Sequence, residues 1–466
     1  MTERTRTHET ASKVGETVSV YGWIHSRRDH GKVTFFDLRD RWGLLQVVVF
    51  GDMIERVKDI RPEWVVKMTG TVALRPEKLI NPDLLSGTVE LQVASVEVVS
   101  KAETPPFQLD QDTLQVDEET RLTYRYLDLR SERMTKNLEL RHKIIGHARN
   151  YLNERGFIEV ETPTLTKGTP EGAREFIVPS RLHVGSFYVL PQSPQQYKQL
   201  LMIAGIDRYY QLAHAFRDED QRGDRQPEHT QLDIEMAFVT QDDILELMEQ
   251  LFTDLVANVT PTKRLAALPW PRITYKQAME QYGTDKPDLR KDKNDPDELA
   301  FAFITDFPLF GKNSSGEVVA EHHPFCMPNP EDIDKLDSDP FAVRGWTYDM
   351  VCNGYELASG SIRIHDPNLQ RKIFQILKLS EAEIDARFGH LLKAYNYGAP
   401  SHGGIAPGID RLTMILANEP NIREVIAFPK TGDAREPLTG APTPLVDQSL
   451  KDAHIELRKT AKATEK

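Results

Sequence analysis

Alternation of apolar and polar positions dominates the first hundred residues. Val18–Ile24, Val33–Leu38, Leu44–Phe50, Val65–Val72 and Thr88–Val93 are short runs rich in β-branched and aromatic residues, separated by turn residues. Five such strands predict a small, closed, all-β unit over residues 1–104. Adjacent strand residues face opposite ways, so one of Phe35 and Phe36 is expected in the core and the other on the opposite face. The pattern then changes. Thr104–Phe107 holds two consecutive prolines, which cannot continue a central strand, and the polar stretch behind them predicts a linker over 105–133. From Met134 to Arg155 the apolar Leu138, Ile144, Ile145, Ala148 and Leu152 recur at helical spacing, and Gly156 marks the helix end. Phe157–Pro163 returns to a strand. From there to about residue 430 short strands alternate with a few helices without a regular βα repeat, so 134–466 reads as one α+β domain with a frayed helix in its tail.

Composition bounds the chemistry. The 466 residues carry 58 Lys+Arg against 71 Asp+Glu, a net charge of −13, which on its face argues against a nucleic-acid partner. The charge is unevenly placed, however. Residues 1–104 hold 15 basic and 15 acidic groups, whereas 285–340 hold 6 and 14. The neutral barrel is of the OB type by strand count, a fold whose face takes single-stranded nucleic acid. It also carries Arg27, Arg28, Lys32, Arg39 and Arg41 around Phe35, a mixture of phosphate contacts and stacking platform. No run of about 18 apolar residues is present, and Met1–Arg6 lacks a signal-peptide pattern. With only Cys326 and Cys352, neither in a CxxC pair, a disulfide framework and a thiolate zinc site are excluded, which fits a reducing cytoplasm.

Three segments carry candidate chemistry. In Phe216–Glu235, 10 of 20 residues are charged, between two strand patterns. Arginine forks there suit carboxylates or phosphates; a solvated, salt-bridged hairpin is the bland alternative. In Tyr348–Glu356, Asp349 and Glu356 flank a short stretch in a way that suits Mg²⁺. Arg363 follows in an alternating strand between Ile362 and Ile364; it either holds an acidic substrate or points outward from an edge strand. In Gly403–Leu416, glycines run into a helix starting near Gly408, whose free N–H groups favour phosphate, with Arg411 in its first turn. Neither the Walker pattern nor a strand-anchored GxGxxG occurs. His322 and His323 lack further ligands at zinc spacing. Cys326 lacks a base at motif level and reads as core.

The order of these segments resembles the class II aminoacyl-tRNA synthetases, and within them the bacterial aspartyl-tRNA synthetase family. The resemblance rests on Gly22–Asp29, Tyr124–Arg130, Thr169–Ala173, Leu190–Gln195, Phe216–Asp220, His322–Phe325, Gly360–His365, Gly408–Arg411 and Phe428–Thr431. It implies an anticodon-binding OB barrel and a catalytic antiparallel sheet flanked by helices, in a homodimer. The implied reaction joins L-aspartate to ATP as aspartyl adenylate and then to the 3′ end of tRNA(Asp). By resemblance Arg217 bridges the substrate carboxylate and the α-phosphate. Glu219 and Gln226 contact ATP, Asp218, Gly408, Ile409 and Asp410 accompany them, and Arg411 clamps the γ-phosphate. Glu171 and Asp233 lie near the amino-acid ammonium, while Gln195, Lys198, His322 and Arg363 complete the pocket. Asp349 and Glu356 resemble the Mg²⁺ carboxylates. On the barrel, Arg28 is implied near phosphate, Phe35 under a base and Gln46 at a base edge.

Three departures accompany the resemblance. Bacterial members carry an inserted domain, yet only the 12 residues 291–302 join Tyr282–Arg290 to Phe303–Pro308, below the roughly 40 needed for an independent fold. His229 stands where the family has an adenine-stacking phenylalanine. His30 matches members that also charge tRNA(Asn), whereas Lys78 does not. The expected function is therefore aspartate–tRNA ligase, with charging of tRNA(Asn) as the alternative and an inactive RNA-binding paralogue as the alternative of another class.

Overall fold

The computed structural model describes residues 4–168, 172–313 and 315–458. The chain divides into two compact units, Met1–Thr135 and Lys136–Lys466.

In the first unit, β1 (Thr17–His30), β2 (Val33–Asp40), β3 (Gly43–Phe50), β4 (Val65–Leu74) and β5 (Val89–Ser100) close a barrel in the order β1-β2-β3-β5-β4. Pairing is antiparallel except between β3 and β5. Strand β2 alternates along its length, with Thr34, Phe36, Leu38 and Asp40 buried. Phe36 joins Val20, Ile24, Val47 and Leu91 in the barrel core, and Phe35 faces out. Asp40 is a buried anchor. It accepts hydrogen bonds from Thr7 N at 3.0 Å, Thr7 Oγ1 at 2.6 Å and Trp42 N at 2.9 Å.

The segment expected as a linker is packed. It holds short helices at Glu118–Thr123 and Arg125–Asp128, and Asp128 lies beside Arg125 and Arg121, all three buried. These charged residues carry the packing that apolar periodicity would otherwise announce. Helix α1 spans Glu132–Asn153, two residues ahead of the expected position.

The second unit is built on an eight-stranded sheet. Its strands are β6 (Ile158–Glu159), β7 (Arg208–Phe216), β8 (Glu228–Ala237), β9 (Arg272–Thr274), β10 (Phe301–Thr305), β11 (Thr347–Cys352), β12 (Tyr355–Ile362) and β13 (His402–Pro407). They lie in the order β9-β10-β11-β12-β13-β8-β7-β6, antiparallel through the centre and parallel only at the two edge pairs. Helix α2 is Gln195–Ile203, α3 Gln241–Val259, α4 Pro367–Ile376, α5 Glu381–Tyr395 and α6 Ile409–Ala417. Helix α3 starts in a capping box between Thr240 and Asp243 and buries Ile244, Met248, Leu251 and Leu255, a single stripe. That stripe shares one core with α1, α6 and the β8 residues Leu232, Ile234 and Met236. Strand parity then sends Gln231, Asp233 and Glu235 to the opposite face of β8.

The 291–302 connection is stitched down. Arg290, itself held by Asp288, donates to Asp295 O at 3.2 Å, and Lys263 donates to Pro296 O at 2.7 Å and to Asn418 Oδ1 at 2.6 Å. In the tail, Asp447–Asp452 is helical. No described helix is long and apolar enough to cross a membrane.

Candidate active site

A cavity of about 290 Å³ opens between β8, β12, β13 and the charged loop that follows β7. Its floor is ionic. Helix α2 places Lys198 against β8, where its ammonium donates to Asp233 Oδ1 at 2.9 Å and lies 3.5 Å from Glu235 Oε2. Arg363, just beyond β12, grips Glu235 through Nε at 3.0 Å and Nη2 at 3.1 Å. All four side chains are essentially inaccessible. Burial works against the charge of Glu235, but Arg363 and Lys198 outweigh it and hold the carboxyl below its ordinary range. The outward edge-strand alternative for Arg363 is thereby excluded. Gln231 donates to Asp233 Oδ2 at 2.7 Å, and Gln195 donates to Gln199 at 3.1 Å.

Above this floor the wall is cationic. Arg217 lines the cavity with a buried Nε that has no hydrogen-bond partner among the described residues. Arg411 is fixed by Glu356 O at 2.7 Å and by Asp224 O at 3.2 Å, and Arg225 meets Glu219 at 3.3 Å. Gln226 is bound at both amide atoms to the backbone of Lys430. His229 lies beside Arg217; desolvation, and then that neighbouring charge, pull its pKa down to about 3, so it is neutral at physiological pH. Gly408 caps α6 at the cavity edge. The charged hairpin is thus the wall of a cavity and not a solvated tip.

Other expected residues sit apart. Asp218 pairs with Arg174 at 3.5 Å away from the lining, and Ile409 is buried in the core. Asp410 reaches the cavity, but its carboxylate binds Arg141 and accepts from Thr230 N at 3.0 Å. Glu171 lies outside the described residues. Asp349 lies outside the lining, with a buried Oδ1 that has no hydrogen-bond partner among the described residues. Burial, and then the charge of Glu356, push its carboxyl well above the usual range. His322 lines the cavity with Nδ1 3.0 Å from Ser359 Oγ and 4.0 Å from Asp349. Among the described residues, no group of three or more His, Cys, Asp or Glu could hold a metal ion.

Glu235 and Ser361 lie buried behind the lining and His323 lines it, three residues to which motif reading assigned no place in the pocket. The alternation of polar Gln231, Asp233 and Glu235 with apolar Leu232, Ile234 and Met236 was the available signal for the first. Cys326, which lacks a base by motif, has the His323 ring within 3.6 Å of its sulfur. Burial raises the thiol pKa and lowers that of the imidazole, so the pair stays neutral.

On the barrel, Arg28 stands opposite Phe35 in the β1–β2 register and pairs with Asp37 at 3.1 Å. His30 packs edge-on to Phe35 with ring centroids 5.8 Å apart. Gln46 is held between Glu90 at 2.9 Å and Arg75 at 3.0 Å. Lys78 sits in an exposed turn, Glu77–Leu79.

An antiparallel sheet bearing an arginine-rich hairpin and a glycine-led, arginine-bearing helix, in a chain with a five-stranded barrel, has the architecture of a class II synthetase. Residues 117–432 match the class II tRNA synthetases (D, K and N), and residues 18–99 match the OB-fold nucleic acid binding domain; the chain belongs to the former family. It is 44% identical to an aspartate–tRNA(Asp/Asn) ligase of Rubrobacter xylanophilus, covering 96% of this chain and 95% of the relative. It is 38% identical to an aspartate–tRNA ligase of Staphylococcus epidermidis, covering 96% and 97%. Both alignments run over 574 residues against the 466 of this chain, so the relatives carry residues without a counterpart here. Among solved structures, the asparaginyl-tRNA synthetase of Pyrococcus horikoshii with asparaginyl-adenylate shares the fold at TM-score 0.74 and 23% identity, covering 92% of this chain and 99% of that one. The aspartyl-tRNA synthetase of Entamoeba histolytica does so at 0.71 and 24%, covering 91% of each.

Proposed function

We propose that this protein activates L-aspartate with ATP and transfers it to the 3′ end of tRNA(Asp). The observation that carries this reading is the buried Lys198–Arg363 cation pair on the cavity floor, in a chain that aligns along its length with aspartate–tRNA ligases. Both cations already pair with Asp233 and Glu235, so an asparagine amide would set its NH₂ against their remaining donors; sites that leave such polar groups unmatched elsewhere discriminate by about 10⁴.

The chemistry needs positioning and charge neutralisation rather than a protein nucleophile. An α-carboxylate oxygen of aspartate attacks the α-phosphorus and pyrophosphate departs. A terminal ribose hydroxyl of the tRNA then attacks the carbonyl carbon and AMP leaves. In this reading Arg217 directs its open Nε–H to the carboxylate and α-phosphate, Arg411 takes the γ-phosphate, and Glu219, Gln226 and neutral His229 contact the nucleotide. Lys198 and Arg363 hold the side-chain carboxylate; Asp233, Gln195, His322 and Glu171 orient the rest.

The Asp349 carboxyl, whose buried Oδ1 has no hydrogen-bond partner among the described residues and whose charge is opposed by Glu356, suits a cation completed by phosphate oxygens. When bound, Mg²⁺ would neutralise phosphate charge there. The barrel would receive the anticodon on Arg28, Phe35 and Gln46. A cytoplasmic homodimer lacking the inserted domain completes the reading, carried by the family resemblance and the short 291–302 connection.

Aspartate-dependent ATP–pyrophosphate exchange, followed by charging of separate tRNA(Asp) and tRNA(Asn) transcripts, tests the proposal. No exchange with aspartate overturns it. Charging of tRNA(Asn) as well, compatible with the similarity to the aspartate–tRNA(Asp/Asn) ligase of Rubrobacter xylanophilus and with His30 beside Phe35, would make the enzyme non-discriminating.

A further inference from the structure

Three guanidiniums gather on one ring of the barrel. Arg6 lies 4.5 Å from the centroid of the Trp42 indole, and Arg4 and Arg41 each lie 5.8 Å from it. At such distances a cation is attracted to the electron-rich face of the ring. The imidazole of His8 packs on the same indole, with centroids 5.7 Å apart. Trp42 stands in the turn between β2 and β3, at the opposite end of β2 from the His30–Val33 turn. Neither the catalytic cavity nor the Phe35 face uses this cluster.

The carboxylates that face Arg4 and Arg6 hold them loosely. Asp40 is 3.7 Å from Arg4 and Glu9 is 3.8 Å from Arg6, both beyond hydrogen-bond range. Each carboxylate is already engaged by backbone: Asp40 accepts from Thr7 N and Trp42 N, and Glu9 accepts from Arg6 N at 2.8 Å. The side chains of Arg4 and Arg6 stay 43% and 49% exposed, and Arg41 is exposed as well. Guanidiniums this close lie within about one Debye length, roughly 8–10 Å, so solvent ions screen their repulsion only in part. An anion shared among them would remove it.

The chemistry and the position of the cluster favour RNA as that anion. Planar guanidinium forks match phosphate oxygens, which they bind two at a time. Strand β2 joins the cluster to the stacking face: from Phe35 to Asp40 the chain advances five residues, about 17 Å at roughly 3.3 Å each. Five stacked nucleotides at roughly 3.4 Å each cover the same length. An RNA seated on Phe35 can therefore reach Trp42 without leaving the barrel. An acidic peptide would meet the same cations, but it has no second seat on the same strand.

We propose that Arg4, Arg6 and Arg41, organised on Trp42, form a second phosphate-binding site on the barrel, which takes the backbone of the RNA whose bases lie on the Phe35 face. This inference rests on the tRNA reading above and extends it to the far end of β2.

Binding of a tRNA(Asp) transcript to the full chain, measured from low to high salt, tests it with the double variant Arg4→Gln/Arg6→Gln. Affinity at low salt is expected to fall at least about fivefold, and the slope of log affinity on log salt to become shallower by about one for each cation removed. Phosphate contacts carry no sequence information, so a non-cognate transcript should lose the same factor. Aspartate-dependent pyrophosphate exchange should be unchanged. Wild-type affinity and slope in the variant would overturn the proposal. A lower affinity with an unchanged slope would also overturn it, by showing a structural role without ionic contact. Retained tRNA binding together with lost polyglutamate binding would assign the cluster to an acidic peptide instead and overturn it too. Should the double variant not fold, Arg6→Gln alone decides, because the backbone bond from residue 6 to Glu9 is kept: a slope shallower by about one is expected, and an unchanged slope overturns the proposal. The wild-type chain is the control, and an absence of aspartate-dependent exchange there counts against the proposed function instead.

Discussion

Gln226 and Lys430 are joined through both ends of one side-chain amide. Lys430 N donates to Gln226 Oε1 at 2.7 Å, and Gln226 Nε2 donates to Lys430 O at 2.9 Å. This ties the charged loop after β7 to a segment some two hundred positions later. Gln226→Ala leaves one N–H and one C=O without partners, a cost of about 1–3 kcal/mol. The expected outcome is a lower urea midpoint with an unchanged m-value, together with a several-fold rise in KM for ATP.

Replacing Arg363 by leucine should do two separable things. Aspartate activation is lost, because the side-chain carboxylate loses the charge and a donor of Arg363. Glu235 is also left buried with Lys198 as its remaining cation, at a cost of up to about 3–5 kcal/mol. Adding Glu235→Gln to the variant should recover part of the stability and none of the exchange activity. Thermal unfolding and exchange measured on the same samples check both halves. Aspartate-dependent exchange at the wild-type rate in Arg363→Leu would refute the pocket assignment.

His229 supplies a pH prediction. Its folded pKa is depressed to about 3 by desolvation and by Arg217, whereas the unfolded value is about 6.5. The unfolded chain therefore takes up the proton first as pH falls. The stability tied to this group is fully present above about 6.5 and is lost progressively toward the folded value. His229→Phe removes that titration. Unfolding free energy measured between pH 7 and about pH 4 should fall less steeply in the variant than in the wild type. Equal slopes would show that His229 does not contribute.

The barrel face can be tested without touching the catalytic unit. Phe35→Ala should weaken tRNA binding by about 1–3 kcal/mol, the worth of one base stacked on an aromatic ring, and leave pyrophosphate exchange unchanged. Binding should also fall steeply between low and high salt, because phosphate contacts release counterions. A tRNA affinity indifferent to salt would exclude a phosphate-dominated interface.

Much of this was legible in the chain because strand alternation is a local signal. The expected strand Val33–Leu38 is observed as Val33–Asp40, and all five barrel strands appear where the pattern placed them. Parity alone could not say which of Phe35 and Phe36 faces inward, since both registers satisfy it. The 105–133 segment hid its packing for another reason: Arg121, Arg125 and Asp128 are buried as an ionic cluster, which leaves no apolar period to read. In the site, residue types were legible and partners were not. Arg363 and Glu235 lie 128 positions apart, and Asp410 is claimed by Arg141 from 269 positions away. Such pairings depend on which strands become neighbours, information held by the whole sheet and not by any window of sequence.

The anchor at Asp40 bears on where tRNA recognition is controlled. By holding Thr7 and Trp42, it fastens the N-terminal segment to the end of β2 farthest from His30. A slip of one residue in β2 would turn Phe35 into the barrel and expose Phe36. Thr7 thus serves as a register pin for the face that carries Phe35, several residues distant, and Thr7→Ala should be felt as lost tRNA affinity before it is felt as lost catalysis.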